Sequence, residues 1–98
     1  FFMAKGYFVV AHRSKANIKK RDKYLKIASP AILAVGGKIL ASNDNVFAYE
    51  NGLDERVVLV EFLSFEVAIK FYNSKEYQDA LNELKDGADR DFRIIEGI

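Results

Sequence analysis

Two apolar periods alternate along the chain, one of strands and one of helices. Residues 6–11 (GYFVVA) are short, aromatic and β-branched, the make-up of a strand. From 17 to 35, Tyr24, Ile27, Ala28, Ala31, Ile32 and Val35 recur at three- and four-residue steps, which predicts a helix with one apolar stripe. Lys19, Lys20, Arg21 and Lys23 surround its polar first half. Pro30 should kink this helix or divide it in two, because proline lacks an N–H and its ring clashes with the preceding turn. Gly36-Gly37 should end it, since glycine takes the left-handed conformation cheaply. Residues 38–42 (KILAS) read as a second strand, and Asn43-Asp44-Asn45 as a turn. Extended structure should resume over 46–50 (VFAYE), with Asn51-Gly52 as a hairpin signal. The strongest strand pattern is 56–63 (RVVLVEFL). Ser64 is placed to cap a helix over 65–73. A further helix is expected over 75–88, with Tyr77, Leu81 and Leu84 on one face, and a last strand over 91–96 (DFRIIE).

This order predicts a single α+β domain over residues 3–98, a ferredoxin-like βαββαβ sandwich whose second crossover is split into two helices. Phe1-Phe2 precede Met3, which reads as the natural start, so the fold is expected to begin there. The plan puts the first and third strands in the centre, and these are the most apolar. Both of their faces are apolar: Phe8 and Val10 against Tyr7, Val9 and Ala11 on one strand, and Val58, Val60 and Phe62 against Val57 and Leu59 on the other. The helices can cover only one face. A homodimer joined through the sheet faces is the simplest way to cover the other.

Composition narrows the function classes. Half of the 98 residues are hydrophobic and the net charge is +1, too weak a field to recruit nucleic acid or an anionic membrane. No apolar run reaches the ~20 residues of a membrane span. The lack of cysteine removes disulfides and thiolate metal sites and suggests a reducing compartment, here taken as the cytoplasm. Phosphate loops, nucleotide fingerprints and nucleophile motifs are absent, and no cofactor is expected.

The candidate chemistry rests on a few side chains. His12, the single histidine, ends the first strand and should lie near Arg56 and the start of the last strand. Two cations there would depress its pKa and fit it to acid–base work, although an exposed strand-end histidine explains it as well. Glu61 interrupts the apolar run of a central strand and should be mostly buried, either paired with a donor such as Tyr7 or facing a pocket. Tyr72 and Tyr77 sit in FYNSKEYQ, where Ser74 should cap a new helix. Both rings can stitch helices to sheet, and either phenol can instead line a cleft. Tyr24 falls on the inner stripe of the first helix. Arg90 and Arg93 flank the last strand and could hold an anionic ligand.

The strand GYFVVAH, the GGKIL after the first helix, RVVLVEF, FYNSKEYQ and the close ADRDFRIIEG together resemble the domain-of-unknown-function family 1330, within the dimeric α+β barrel superfamily. The chain departs from the family at Lys75, where proline is usual, and at Asn43-Asp44-Asn45. The resemblance implies a homodimer with facing sheets and no established reaction. Two functions therefore stand. One is a cofactor-free enzyme or binding protein for a small organic molecule, held in a cleft between sheet and helices by His12, Tyr24, Glu61, Tyr72 and Arg90. The other is a non-enzymatic dimeric interaction module. A pocket lined by these side chains favours the first, and a filled core the second.

Overall fold

A computed structural model describes residues 3–98; Phe1 and Phe2 lie outside them. The elements are β1 (Gly6–His12), α1 (Ile18–Ala34), β2 (Lys38–Asn43), β3 (Val57–Phe62), α2 (Phe65–Tyr72), α3 (Lys75–Leu84) and β4 (Arg90–Glu96). They form one antiparallel sheet in the order β2-β3-β1-β4, the ferredoxin-like arrangement expected from the periodicity. Strands β1 and β3 are central. Each crossover therefore joins two strands that have a third between them, and both helical layers lie on the same face of the sheet.

The two-residue period of β1 divides its side chains. Phe8, Val10 and His12 are buried towards the helices, whereas Tyr7, Val9 and Ala11 are half-buried on the open face. Register carries this division across the sheet. Phe8 stands opposite Val60 and Ile94, and Val10 opposite Val58 and Phe92. The core is aromatic at its centre. The Phe8 ring lies 4.6 Å from that of Phe62 and 4.8 Å from that of Phe92, centroid to centroid, and Phe71 and Tyr77 close over it. Helix α2 sits near β1 and β4, while α1 packs chiefly along α3.

Local chemistry sets most helix ends. Asn17 caps α1, its side chain accepting from the Lys20 N–H at 3.0 Å. At the other end Gly36 takes φ +78°, and the N–H groups of Gly36 and Gly37 donate to the carbonyls of Leu33 and Ile32. This is a Schellman motif, and its positive φ suits glycine. Ser64 caps α2 and Ser74 caps α3, by accepting from Val67 N–H at 3.2 Å and Tyr77 N–H at 3.3 Å. The stretch FYNSKEYQ is thus a helix-to-helix hinge, tied further by Ser74 Oγ to the Phe71 carbonyl and Gln78 Nε2 to the Tyr72 carbonyl.

Three expectations need correction. Pro30 does not divide α1, which runs unbroken through it. Pro30 and Lys26 are both exposed, so the carbonyl that loses its helical donor faces water, while Ala28 and Ile32 hold the helix to the core. Residues 46–50 form no strand. They belong to a long loop between β2 and β3; the hairpin expected with β3 is blocked because β3 already pairs with β2 and β1. Within it Gly52 N–H donates to Tyr49 carbonyl, and Ala48 N–H to Asp54 Oδ1. Helix α3 ends at Leu84, short of residue 88. Lys85 takes φ 51°, and the following loop turns back to the start of α1, where Asn17 N–H donates to the Gly87 carbonyl at 2.7 Å.

Ser74→Ala should lower stability by about 1 kcal/mol, the cost of one lost N-cap. Lys75→Pro should be neutral or slightly stabilising, because Ser74 already has the extended backbone (φ −70°, ψ 156°) that a following proline requires. It removes only the exposed Lys75–Asp79 pair. Urea unfolding of both variants checks this. A loss well above 1 kcal/mol in the proline variant would contradict the helix start.

Candidate functional site

A cavity of about 60 Å³ lies between α1 and the helix-facing side of the sheet. A single water needs on the order of 10–15 Å³, so the space admits more than one solvent molecule or part of a small ligand. Its walls are mostly apolar. Val10, Val58 and Val60 come from the sheet, and Ala28 and Ile32 from α1. The polar part of the lining is His12, Arg21, Tyr24, Arg56 and Arg90, with Ser29 and Ser42.

His12 reaches this cavity because it shares the parity of Phe8 and Val10. It stands opposite Arg90 on β4, and its own N–H donates to the Arg56 carbonyl at 2.8 Å. It is buried, not the exposed strand-end residue of the simpler reading. Loss of solvent, reinforced by the charges of Arg90, Arg21 and Arg56, holds its pKa below the ordinary histidine value. A neutral imidazole at neutral pH can accept a proton.

Tyr24 points inward from α1. Its hydroxyl lies 2.7 Å from that of Tyr77, and either can donate. Burial raises the Tyr77 pKa far above the usual phenol range, so the Tyr77 hydroxyl stays protonated. Arg90 Nη1 donates to the Tyr24 hydroxyl at a long 3.4 Å. Its guanidinium sits 5.2 Å from the centroids of both Tyr24 and Phe92, held by two ring faces. Arg56 is differently placed, donating to Asp44 at 3.0 Å and to Ser42 Oγ at 2.8 Å.

Of the five residues singled out from the sequence, the structure brings His12, Tyr24 and Arg90 together at the cavity. It removes the other two. Glu61 pairs in register with Tyr7, on the opposite face of the sheet from His12. There the Tyr7 hydroxyl donates to Glu61 Oε2 at 3.3 Å, as the structural reading expected, and Glu61 is half-buried, less than expected. Tyr72 is packing material. Its ring lies 5.2 Å from Tyr77 and 5.1 Å from Phe92, and it does not line the cavity. Arg93 is exposed and paired with Asp91 at 2.9 Å. The sequence reading missed Arg21 and the Tyr24–Tyr77 contact. Arg21 had a legible signal: with Tyr24, Ala28 and Ile32 it continues the buried stripe one turn towards the start of α1.

With this geometry in place, comparison with known proteins fixes the family. Residues 5–98 match the family described as "Domain of unknown function (DUF1330)". The chain belongs to the DUF1330 family. No curated protein matches this DUF1330 chain. Among solved structures it is similar to RPA0582 of Rhodopseudomonas palustris, a protein of unknown function: TM-score 0.74, 12% identity, covering 99% of this chain and 85% of that one. It also resembles a candidate antibiotic biosynthesis monooxygenase of Caulobacter crescentus CB15, with TM-score 0.59, 11% identity and coverage of 100% and 93%. A NIPSNAP family protein of unknown function from Agrobacterium tumefaciens C58 has TM-score 0.52, 13% identity and coverage of 96% and 87%. At these identities the likenesses show the fold of this DUF1330 protein and leave its chemistry to its own side chains.

The depressed pKa of His12 has a stability consequence. The unfolded chain takes up a proton near pH 6.5 and the folded chain only at lower pH, so the His12 contribution is complete above ~6.5 and is lost as pH falls through the folded value. Thermal unfolding between pH 8 and pH 5 should therefore show a falling midpoint below pH ~6.5. His12→Asn should flatten that part of the profile. An unchanged slope in the variant would place the titration elsewhere.

Proposed function

We propose that this protein binds a small organic molecule in the α1–sheet cavity, as a cofactor-free enzyme or as a binding protein. The observation that carries the reading is the meeting of an open apolar cavity with His12, Tyr24 and Arg90 at one polar end. Ligand sites are commonly concave and apolar, with a few convergent polar groups. In an enzymatic version, neutral His12 takes a proton from the ligand, and the guanidinium groups steady the negative charge that develops. The cavity favours this reading over a purely structural module, whose core would be filled.

A cavity-filling variant tests it. Ala28 is buried on the cavity wall, and leucine is a good helix former. Ala28→Leu should keep or raise the melting temperature and abolish binding of probes such as benzoate and benzyl alcohol in NMR titrations. If the interface is already filled, the same change should cost about 1–3 kcal/mol by overpacking.

We also propose a homodimer joined through the open sheet faces. Val9, Ala11, Val57 and Leu59 are only half-buried there, and Ile95 is 55% exposed. The β2–β3 loop adds Phe47 and Tyr49, 81% and 74% exposed, packed edge to face with their ring centroids 5.2 Å apart. An apolar surface of this kind is rare on a soluble monomer and suits a self-complementary contact. Sedimentation should give a dimer at micromolar concentration, with an interface above roughly 1,600 Å² of total buried area. A monomer at that concentration would refute the assembly.

A further inference from the structure

Charge is distributed unevenly around the cavity. Its lining contains three arginines and the histidine, and no aspartate or glutamate. One of the arginines is already satisfied, since Arg56 holds Asp44 and Ser42. Arg21 and Arg90 are not: none of the ion pairs among the described residues includes either. Arg21 Nε is, moreover, a buried side-chain nitrogen without a hydrogen-bond partner among the described residues. Buried donors are nearly always paired, and an orphaned one marks an absent partner. Water can accept from one N–H but brings no charge, and the Asp44 carboxylate, whose pKa Arg21 helps to lower, is already bonded to Arg56.

A negative partner answers both features, and the cavity that Arg21 shares with Arg90 is where it would meet both. Its other end meets valine, isoleucine and alanine, which reward apolar surface and penalise a second charge. We infer that the ligand is a small organic carboxylate, its acid group held by Arg21 and Arg90 and its apolar body lodged against Val58, Val60 and Ile32. A carboxylate presents two coplanar oxygens, which match the planar N–H fork of a guanidinium. The aromatic faces of Tyr24 and Phe92 hold the Arg90 plane, so little side-chain freedom is lost on binding. The long Arg90–Tyr24 contact leaves its remaining N–H groups for the ligand. Tyr24, engaged with Tyr77, serves to position Arg90.

The inference rests on the cavity reading above, and matched probes separate the two. The protein is titrated with benzoate, benzamide and benzyl alcohol, and separately with butyrate and butyramide. The arginine Nε–H signals in ¹H–¹⁵N spectra are followed. Each acid should bind about tenfold or more tighter than its amide, the worth of a charge-assisted pair, and should shift the Arg21 Nε–H signal. Arg21→Gln should remove most of that preference while leaving amide and alcohol affinity unchanged. Equal affinity for acid and amide would overturn the inference and leave the cavity reading intact. Inorganic phosphate binding as tightly as the acids would also overturn it, since no apolar body would then be recognised. If no member of the series binds, the cavity reading itself fails, and this inference with it.

Discussion

The two-residue period of β1 is the constraint on which the rest depends. Its side chains have two directions only, and the helices occupy one of them. Phe8, Val10 and His12 go towards the helices; Tyr7, Val9 and Ala11 go to the open face. Through antiparallel register the same division passes to β3 and β4, so Val58, Val60 and Phe92 share the inner side while Glu61, Leu59 and Arg93 share the outer one. One-residue slippage would exchange the two sets completely. The placement of the candidates on the sheet, His12, Glu61 and Arg90, follows from that parity.

On the inner side, packing is uneven. Near α2 and α3 the aromatic rings of Phe8, Phe62, Phe71, Tyr72, Tyr77 and Phe92 fill the space, and the Tyr24–Tyr77 hydroxyl pair satisfies the polar groups that burial would otherwise penalise. Towards α1 the rings give way to valine, alanine and isoleucine, and a cavity remains. The positive groups collect at that place. A chain with net charge of only +1 carries carboxylates enough to pair its arginines, and Arg56 and Arg93 are so paired. Arg21 and Arg90, two of the cavity-lining arginines, are in no ion pair among the described residues, which gives the site its chemical character.

Much of the architecture was legible in the sequence because periods of two and about 3.6 alternate cleanly, and because Asn17, Ser64, Ser74 and Gly36 terminate helices by local chemistry. The failures have specific causes. VFAYE has strand composition, but its hairpin partner would be β3, which is already paired on both sides by β2 and β1. Pro30 breaks helices when the freed carbonyl is buried, and here it faces solvent. At the site, His12 and Arg90 were legible from polarity at strand ends, and Tyr24 from the inner stripe of the first helix. Glu61 was not separable from them without register: only its pairing with Tyr7, of opposite parity to His12, shows that it belongs to the other face. Tyr72 lies at a helix end, where composition does not distinguish a packed ring from a cleft-lining one. Arg21 was hidden among Lys19, Lys20 and Lys23, although its spacing from Tyr24 and Ala28 set it apart.

The most direct test of a ligand-binding cavity with a positive end is a crystal structure of the protein as isolated from cells, refined against density between α1 and the sheet. The account predicts density in the cavity with an acidic group within hydrogen-bond distance of Arg21 Nε and Arg90, and apolar atoms against Val58 and Val60. A cavity closed by inward rotation of Leu25 or Ile39, with Arg21 Nε bonded to a carboxylate of the protein itself, would contradict it.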